Sequence, residues 1–155
     1  MPLNAEKSPL LAIDPGREKC GLAVVGFDRE IIHREIVETQ QLPLRVAHFV
    51  GRFGIELIVL GDRTTAQETR ETLRRSGFRL EIVFVDEDRS SELGRRRYLL
   101  DHPGEGWQRF LPVGLRSPDQ AYDDYVAVIL AERYLDGQRS TRQGRQRRKR
   151  KEHIE

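Results

Sequence analysis

Four carboxylates in this chain stand where a regular element ends or begins. Asp14 follows the apolar run Leu10–Ile13 and precedes the turn pair Pro15-Gly16. Glu87 follows the run Leu80–Val85, inside Asp86-Glu87-Asp88. Asp123 and Asp124 fall in the first turns of the last predicted helix of the body. Acids are depleted in strands, and an unpaired buried carboxylate is costly, so Asp14 needs a partner. Several carboxylates converging without basic partners repel one another and raise their own pKa values. A hard divalent cation relieves that repulsion, and magnesium takes oxygen ligands while keeping water. Two such ions about 4 Å apart clamp the attacking and leaving oxygens of a phosphodiester. An aspartate that caps its own turn, or one that complements a helix N-terminus, is the plainer alternative for each acid alone. Helical spacing does not choose between the last two. Asp123 aligns with Ala127, Leu130 and Tyr134, and Asp124 with Val128, Ala131 and Leu135.

The elements that would position these acids can be read in order. Leu10–Asp14, Gly21–Phe27 and Glu30–Thr39 are short apolar or alternating runs with tight links, which implies an antiparallel meander. Leu44–Phe53 carries apolar residues at helical spacing and stops at Gly54. Glu56–Gly61 is a buried strand. Thr65 opens a helix to Ser76, with Glu68 placed for a capping box and Gly77 closing it. Leu80–Val85 is the fifth strand, and Ser90 or Ser91 caps a helix through Leu100. An irregular stretch, Asp101–Gly114, follows. Ser117, Pro118 and Gln120 then mark the start of a helix that ends at Gly137. The outcome is a mixed five-stranded α/β sheet, three antiparallel strands and then two parallel ones, with helices on both faces. The first strand is then central. Sites in such sheets lie at the carboxyl ends of strands.

The chain has 155 residues, enough for one domain with a core, and 34% of them are charged. No apolar run approaches the roughly 18 residues of a membrane span, no signal-peptide layout opens the chain, and a single Cys20 fits a reducing, cytoplasmic setting. Cys20 lies among apolar residues and reads as packing. The net charge of +2 hides an asymmetry. Eight basic residues lie between Arg139 and Lys151, against Glu152 and Glu155, so residues 138–155 form a basic tail of +6 on a body, residues 1–137, of −4. Such a tail suits nucleic acid or is simply a solvated, disordered end.

Several strings together resemble a known family. Ile13-Asp14-Pro15-Gly16-x4-Gly21 resembles the opening of RNase H-like nucleases of the Holliday-junction resolvase type. Asp86-Glu87 followed by Ser90-Ser91 resembles the Asp-Glu-Arg-x-Ser-Thr segment of the YqgF/RuvX family, which is linked to junction resolution and to trimming the 5′ end of precursor 16S rRNA. Asp123-x-x-x-Ala127, with Ile129-Leu130 and Glu132-Arg133-Tyr134-Leu135, resembles its last helix. The resemblance covers nearly all of the body. It implies an RNase H-like fold, a Mg2+ or Mn2+ site built from Asp14, Glu87 and Asp123, and branched DNA or precursor rRNA as partner. It also selects Asp123 over Asp124. A resolvase would be a two-fold dimer, whereas an rRNA-trimming enzyme could act as a monomer. The chain departs from the family at Asp88, at Arg89 and at Gly61-Asp62-Arg63-Thr64-Thr65. These departures keep open a catalytically weak or inactive nucleic-acid-binding protein, for example in ribosome assembly.

Arg17, Lys19, Arg63 and Arg89 flank the acids and are candidates for holding phosphates, together with Arg147, Arg148, Lys149 and Arg150 of the tail. Arg95, Arg96 and Arg97 suit a solvated helix face equally well. Trp107 could stack on a base or anchor a loop. His33, His48, His102 and His153 lack metal-ligand spacing. Gly16 and Gly21 could cradle a phosphate as in actin-like ATPases, which need two such domains around a nucleotide.

Overall fold

A computed structural model describes residues 7–104, 109–113 and 120–152, with side chains as far as residue 138. Five strands form one sheet: β1 (Leu10–Asp14), β2 (Lys19–Val25), β3 (Ile31–Glu38), β4 (Leu57–Gly61) and β5 (Glu81–Val85). Their order is β3-β2-β1-β4-β5. β1 to β3 pair antiparallel, and β4 and β5 run parallel to β1. This is the mixed five-stranded sheet expected, with β1 central.

Alternation along the strands builds two cores, because successive side chains point to opposite faces. Leu11, Ile13, Leu22, Ile58 and Leu60 face α1 (Leu42–Phe53) and α2 (Ala66–Arg75). Leu10, Ala12, Ala23, Leu57 and Val59 face α4 (Asp123–Glu152). α3 (Ser90–Asp101) packs on α4 rather than on the sheet.

Local departures from expectation have physical causes. α1 begins at Leu42, after a short 3-10 turn, Thr39–Gln41, with Pro43 in its first turn. Its buried face is Leu42, Val46 and Phe49, and Leu44 is 68% exposed. Gly54 closes this helix in the left-handed conformation, φ 65°. Thr65 makes no cap on α2, since its hydroxyl donates instead to Pro15 O at 3.3 Å. α3 likewise lacks a serine cap: Arg89 precedes it at φ 59°, and Ser90 is wholly buried.

The last helix differs most. Ser117 and Pro118 lie outside the described residues, while Gln120, Ala121 and Tyr122 are not helical, so α4 starts at Asp123. Nor does Gly137 end it. The backbone stays helical to Glu152, across the expected boundary at 137–138 and through the stretch read as disordered. One glycine costs only about 1 kcal/mol in a helix, and Gln and Arg around it are good helix formers. Among the described residues no helix is long and apolar enough to cross a membrane.

Candidate metal centre

The carboxyl ends of β1 and β5 and the start of α4 meet at one edge of the sheet. Asp14 ends β1, where it pairs with Gly21 of β2. α4 crosses β2 at that glycine so closely that a Cβ on Gly21 would lie 2.8 Å from Asp124 N and would overlap the Asp123 carbonyl. The same tactic works on β4. A Cβ on Gly61 would sit 2.6 Å from Glu87 Cγ and would overlap its carboxylate. Two missing side chains thus admit the first turn of α4 and the Glu87 side chain beside Asp14. Gly21 serves this close approach.

Glu87 is fixed from several sides. Its N–H donates to Asp62 Oδ1 at 3.1 Å, and its carbonyl accepts Ser90 N–H at 2.9 Å. Arg133 of α4 donates to the carbonyls of Asp86, at 2.7 Å, and Asp88, clamping the loop that carries Glu87. The side chain is 2% exposed. Its Oε2 meets Arg63 Nε at 2.9 Å, while Oε1 is buried with no hydrogen-bond partner.

Asp14 senses both of the other acids. Asp14 is pushed up to about 8, first by burial, then by the charges of Glu87 and Asp123 and by the neighbouring Glu87 carboxyl; Arg63 opposes this. Burial also raises Glu87, and Arg63 pulls it back. Cys20 is buried beside the pair, with its thiol pushed up by burial and further by Asp14 and Asp123. A thiol so held is a poor nucleophile, which agrees with its reading as packing.

Asp124 is turned elsewhere. Its carboxylate takes Arg34 Nη1 at 2.8 Å and Tyr125 N–H at 3.0 Å, and the Arg34 guanidinium lies 4.0 Å over the Tyr125 ring. The first turn of α4 is thereby tied to β3, with Asp123 left on the side of Asp14. Among the described residues no three His, Cys, Asp or Glu side chains are gathered tightly enough to hold a metal as they stand. Asp14 and Glu87 meet, and Asp123 acts on Asp14 through its charge. The donor set still fits a hard divalent cation. It is all oxygen, and one buried oxygen, Glu87 Oε1, has no partner.

The basic candidates divide. Arg17 and Lys19 are exposed on the turn after Asp14. That turn is pinned by Thr39 Oγ1, which donates to Gly16 O at 2.8 Å. Arg63 is 56% exposed yet points back to Glu87. Arg89 is exposed and pairs with Glu92 at 3.3 Å. Arg97 is tied to Glu132 of α4 at 2.6 Å. His102 stacks on Tyr98 at 4.3 Å, and His48 lies edge-on to Phe49. Trp107 lies outside the described residues, as do the side chains of Arg147, Arg148, Lys149 and Arg150 and all of His153.

Sequence reasoning missed Arg34 and Arg133. Their partners lie 90 and 47 residues away, and nothing local marks them. Gly61 was readable only as the last residue of a buried run; its role depends on where Glu87 falls.

No family model matches the chain, and no curated protein does. Solved structures do resemble it. Thermus thermophilus RuvC is 16% identical with a TM-score of 0.48, over 79% of this chain and 91% of that one. A ROK family protein from Streptococcus pneumoniae, solved with sucrose, is 15% identical with a TM-score of 0.37, over 61% and 39%. A ROK family transcriptional regulator, homologous to the E. coli MLC protein, is 9% identical with a TM-score of 0.41, over 60% and 31%. This chain therefore spans well under half of either ROK protein. At these identities and scores the likenesses do not say what it acts on.

Proposed function

We propose that this chain is a divalent-metal-dependent nuclease of the YqgF/RuvX kind, hydrolysing phosphodiester bonds in structured nucleic acid. The observation that carries the reading is a partly buried Asp14 set against the buried Glu87, with Asp123 acting on Asp14 and Arg63 opposing both shifts. Carboxyls perturbed by burial and by specific charged neighbours cluster at functional sites. Asp14, Glu87 and Asp123 would hold Mg2+ or Mn2+. Bound there, the cation supplies positive charge against the negative charge that builds on a phosphodiester under attack. The chain's own part is positional. Asp62 and Arg133 hold Glu87 in place, and Arg34 ties down the turn that carries Asp123. Arg17, Lys19 and Arg89 offer exposed charge for phosphates on either side. Branched DNA and precursor rRNA are the two substrate classes, and only the first requires a two-fold dimer.

A second reading rests on Arg63. Its guanidinium already neutralises Glu87 at 2.9 Å, in the loop that departs from the family pattern. A protein that keeps this pair permanently closed would bind nucleic acid without cutting it.

One assay separates the two. Four-way DNA junctions and a precursor 16S rRNA leader are incubated with the protein and Mg2+, then with Glu87→Gln. The nuclease reading expects at least one substrate to be cut, and a loss of about 10³-fold or more in Glu87→Gln, as when charge stabilisation is removed from a site. Binding of both substrates with no cleavage of either supports the binder instead.

A further inference from the structure

α4 carries its acids and its basic stretch at opposite ends of the molecule. Asp123 lies at the carboxyl end of β1, whereas Tyr134 and Leu135 pack beside Leu10, Leu57 and the start of β5, at the other edge. Among the residues whose side chains are described, Leu135 is the last buried one of the helix; Asp136, Gly137 and Gln138 are exposed. The backbone remains helical for another 14 residues beyond these, to Glu152. At about 1.5 Å per residue, Arg139 lies about 24 Å from Asp123 along the axis, and Lys151 about 42 Å. Between Arg139 and Glu152 the arm carries eight basic residues and one acid.

We propose that this arm is a second nucleic-acid contact, separate from the acid cluster and gripping the phosphate backbone about 7 to 12 base pairs from the cut. The spacing is the axial separation divided by about 3.4 Å per base pair. The occupant is a polyphosphate backbone because the arm offers charge of one sign and no apolar stripe: residues 139–152 include no Val, Leu, Ile, Met or aromatic residue. A strand or helix too short to span the gap cannot occupy both sites. The inference rests on the nuclease reading only in calling one end the cutting end; the grip itself does not depend on catalysis.

The test measures binding in EDTA, so that cleavage plays no part. Four-way DNA junctions with arms of 6 and of 20 base pairs are compared across a salt series, for the full chain and for a variant with Arg147→Gln, Arg148→Gln, Lys149→Gln and Arg150→Gln together. Glutamine keeps helix propensity, and circular dichroism checks that helix content is retained. For the long-armed junction the variant should bind at least about tenfold more weakly near 0.1 M salt, with the salt slope shallower by about 3. For the short-armed junction the two proteins should differ by less than twofold. Equal loss on both junctions places the arm at the same phosphates as the acids and overturns the inference, as does no loss on either. Loss confined to the long junction in a protein that never cuts upholds the arm and removes the nuclease reading alone.

Discussion

Asp14→Asn should abolish cleavage and at the same time make the metal-free protein more stable. The two effects share a cause. Asp14 is partly buried beside Glu87 and within the field of Asp123, and its pKa rises from 3.8 to about 8. An amide of the same shape removes the charge that a cation would need and also the charge that the fold resists. Cleavage should fall by about 10³-fold or more. The stability gain depends on pH, with a definite sign. A carboxyl whose folded pKa lies above its unfolded one lets the native state hold a proton that the unfolded chain has lost, so stability falls as pH rises between those values. Metal-free parent protein should therefore lose stability from about pH 4 to about pH 8 and level off above. The Asp14→Asn variant should lack most of that decline. Discounted for partial exposure, the gap at pH 8 is on the order of 2–3 kcal/mol. That is about 6–9 °C in Tm for a chain of this size. Melting curves in EDTA at pH 5 and pH 8 check it. A variant less stable than the parent at pH 8 means that Asp14 is structurally satisfied as it stands, and the strain invoked for the site is absent.

Gly61→Ala and Gly21→Ala should damage the site through space alone, in different ways. At Gly61 the new methyl meets the Glu87 side chain, which is hemmed in by Asp62 and Arg63. Glu87 must shift, and a shift of about 1 Å can cost 10²-fold in rate even if the fold survives. At Gly21 the methyl meets backbone of Asp123 and Asp124, which cannot rotate aside. α4 has to lift from the sheet, at a cost of about 3 kcal/mol as severe overpacking. Gly51 is the control. It lies in α1, exposed, with nothing within 4 Å of an added Cβ, so Ala there should stabilise slightly, by up to about 1 kcal/mol. Chemical denaturation of the three variants, with cleavage rates for Gly61→Ala, checks the order. If Gly21→Ala is as stable as Gly51→Ala, the helix does not rest on β2 as described.

Much of the architecture is legible in the sequence because each strand is a short run bounded by turn residues, and the alternation Leu10-Leu11-Ala12-Ile13 divides between two cores as a period of two requires. Asp14 and Glu87 were legible for the same reason, since an acid at the end of a buried run is out of place. Periodicity did not choose between Asp123 and Asp124, because both lie on apolar stripes; only the family resemblance did, and in the structure Arg34, 90 residues away, takes Asp124. Helix ends were the weakest. Capping signatures at Thr65 and Ser90 were read from spacing, yet Thr65 is drawn to Pro15 and Ser90 is buried against the fold. Gly137, a stop signal in isolation, is carried through by good helix formers on either side.

Divalent binding itself tests the cluster most directly. Mn2+ is titrated into metal-free protein near pH 7.5 in two buffers of different ionisation enthalpy, for the parent and for Asp14→Asn. Because Asp14 is held near a pKa of about 8, the parent should bind saturably and release up to one proton per ion bound, while the variant should neither bind in that range nor release a proton. Saturable binding in Asp14→Asn that matches the parent, or no binding to the parent at millimolar Mn2+, contradicts a metal centre at Asp14, Glu87 and Asp123.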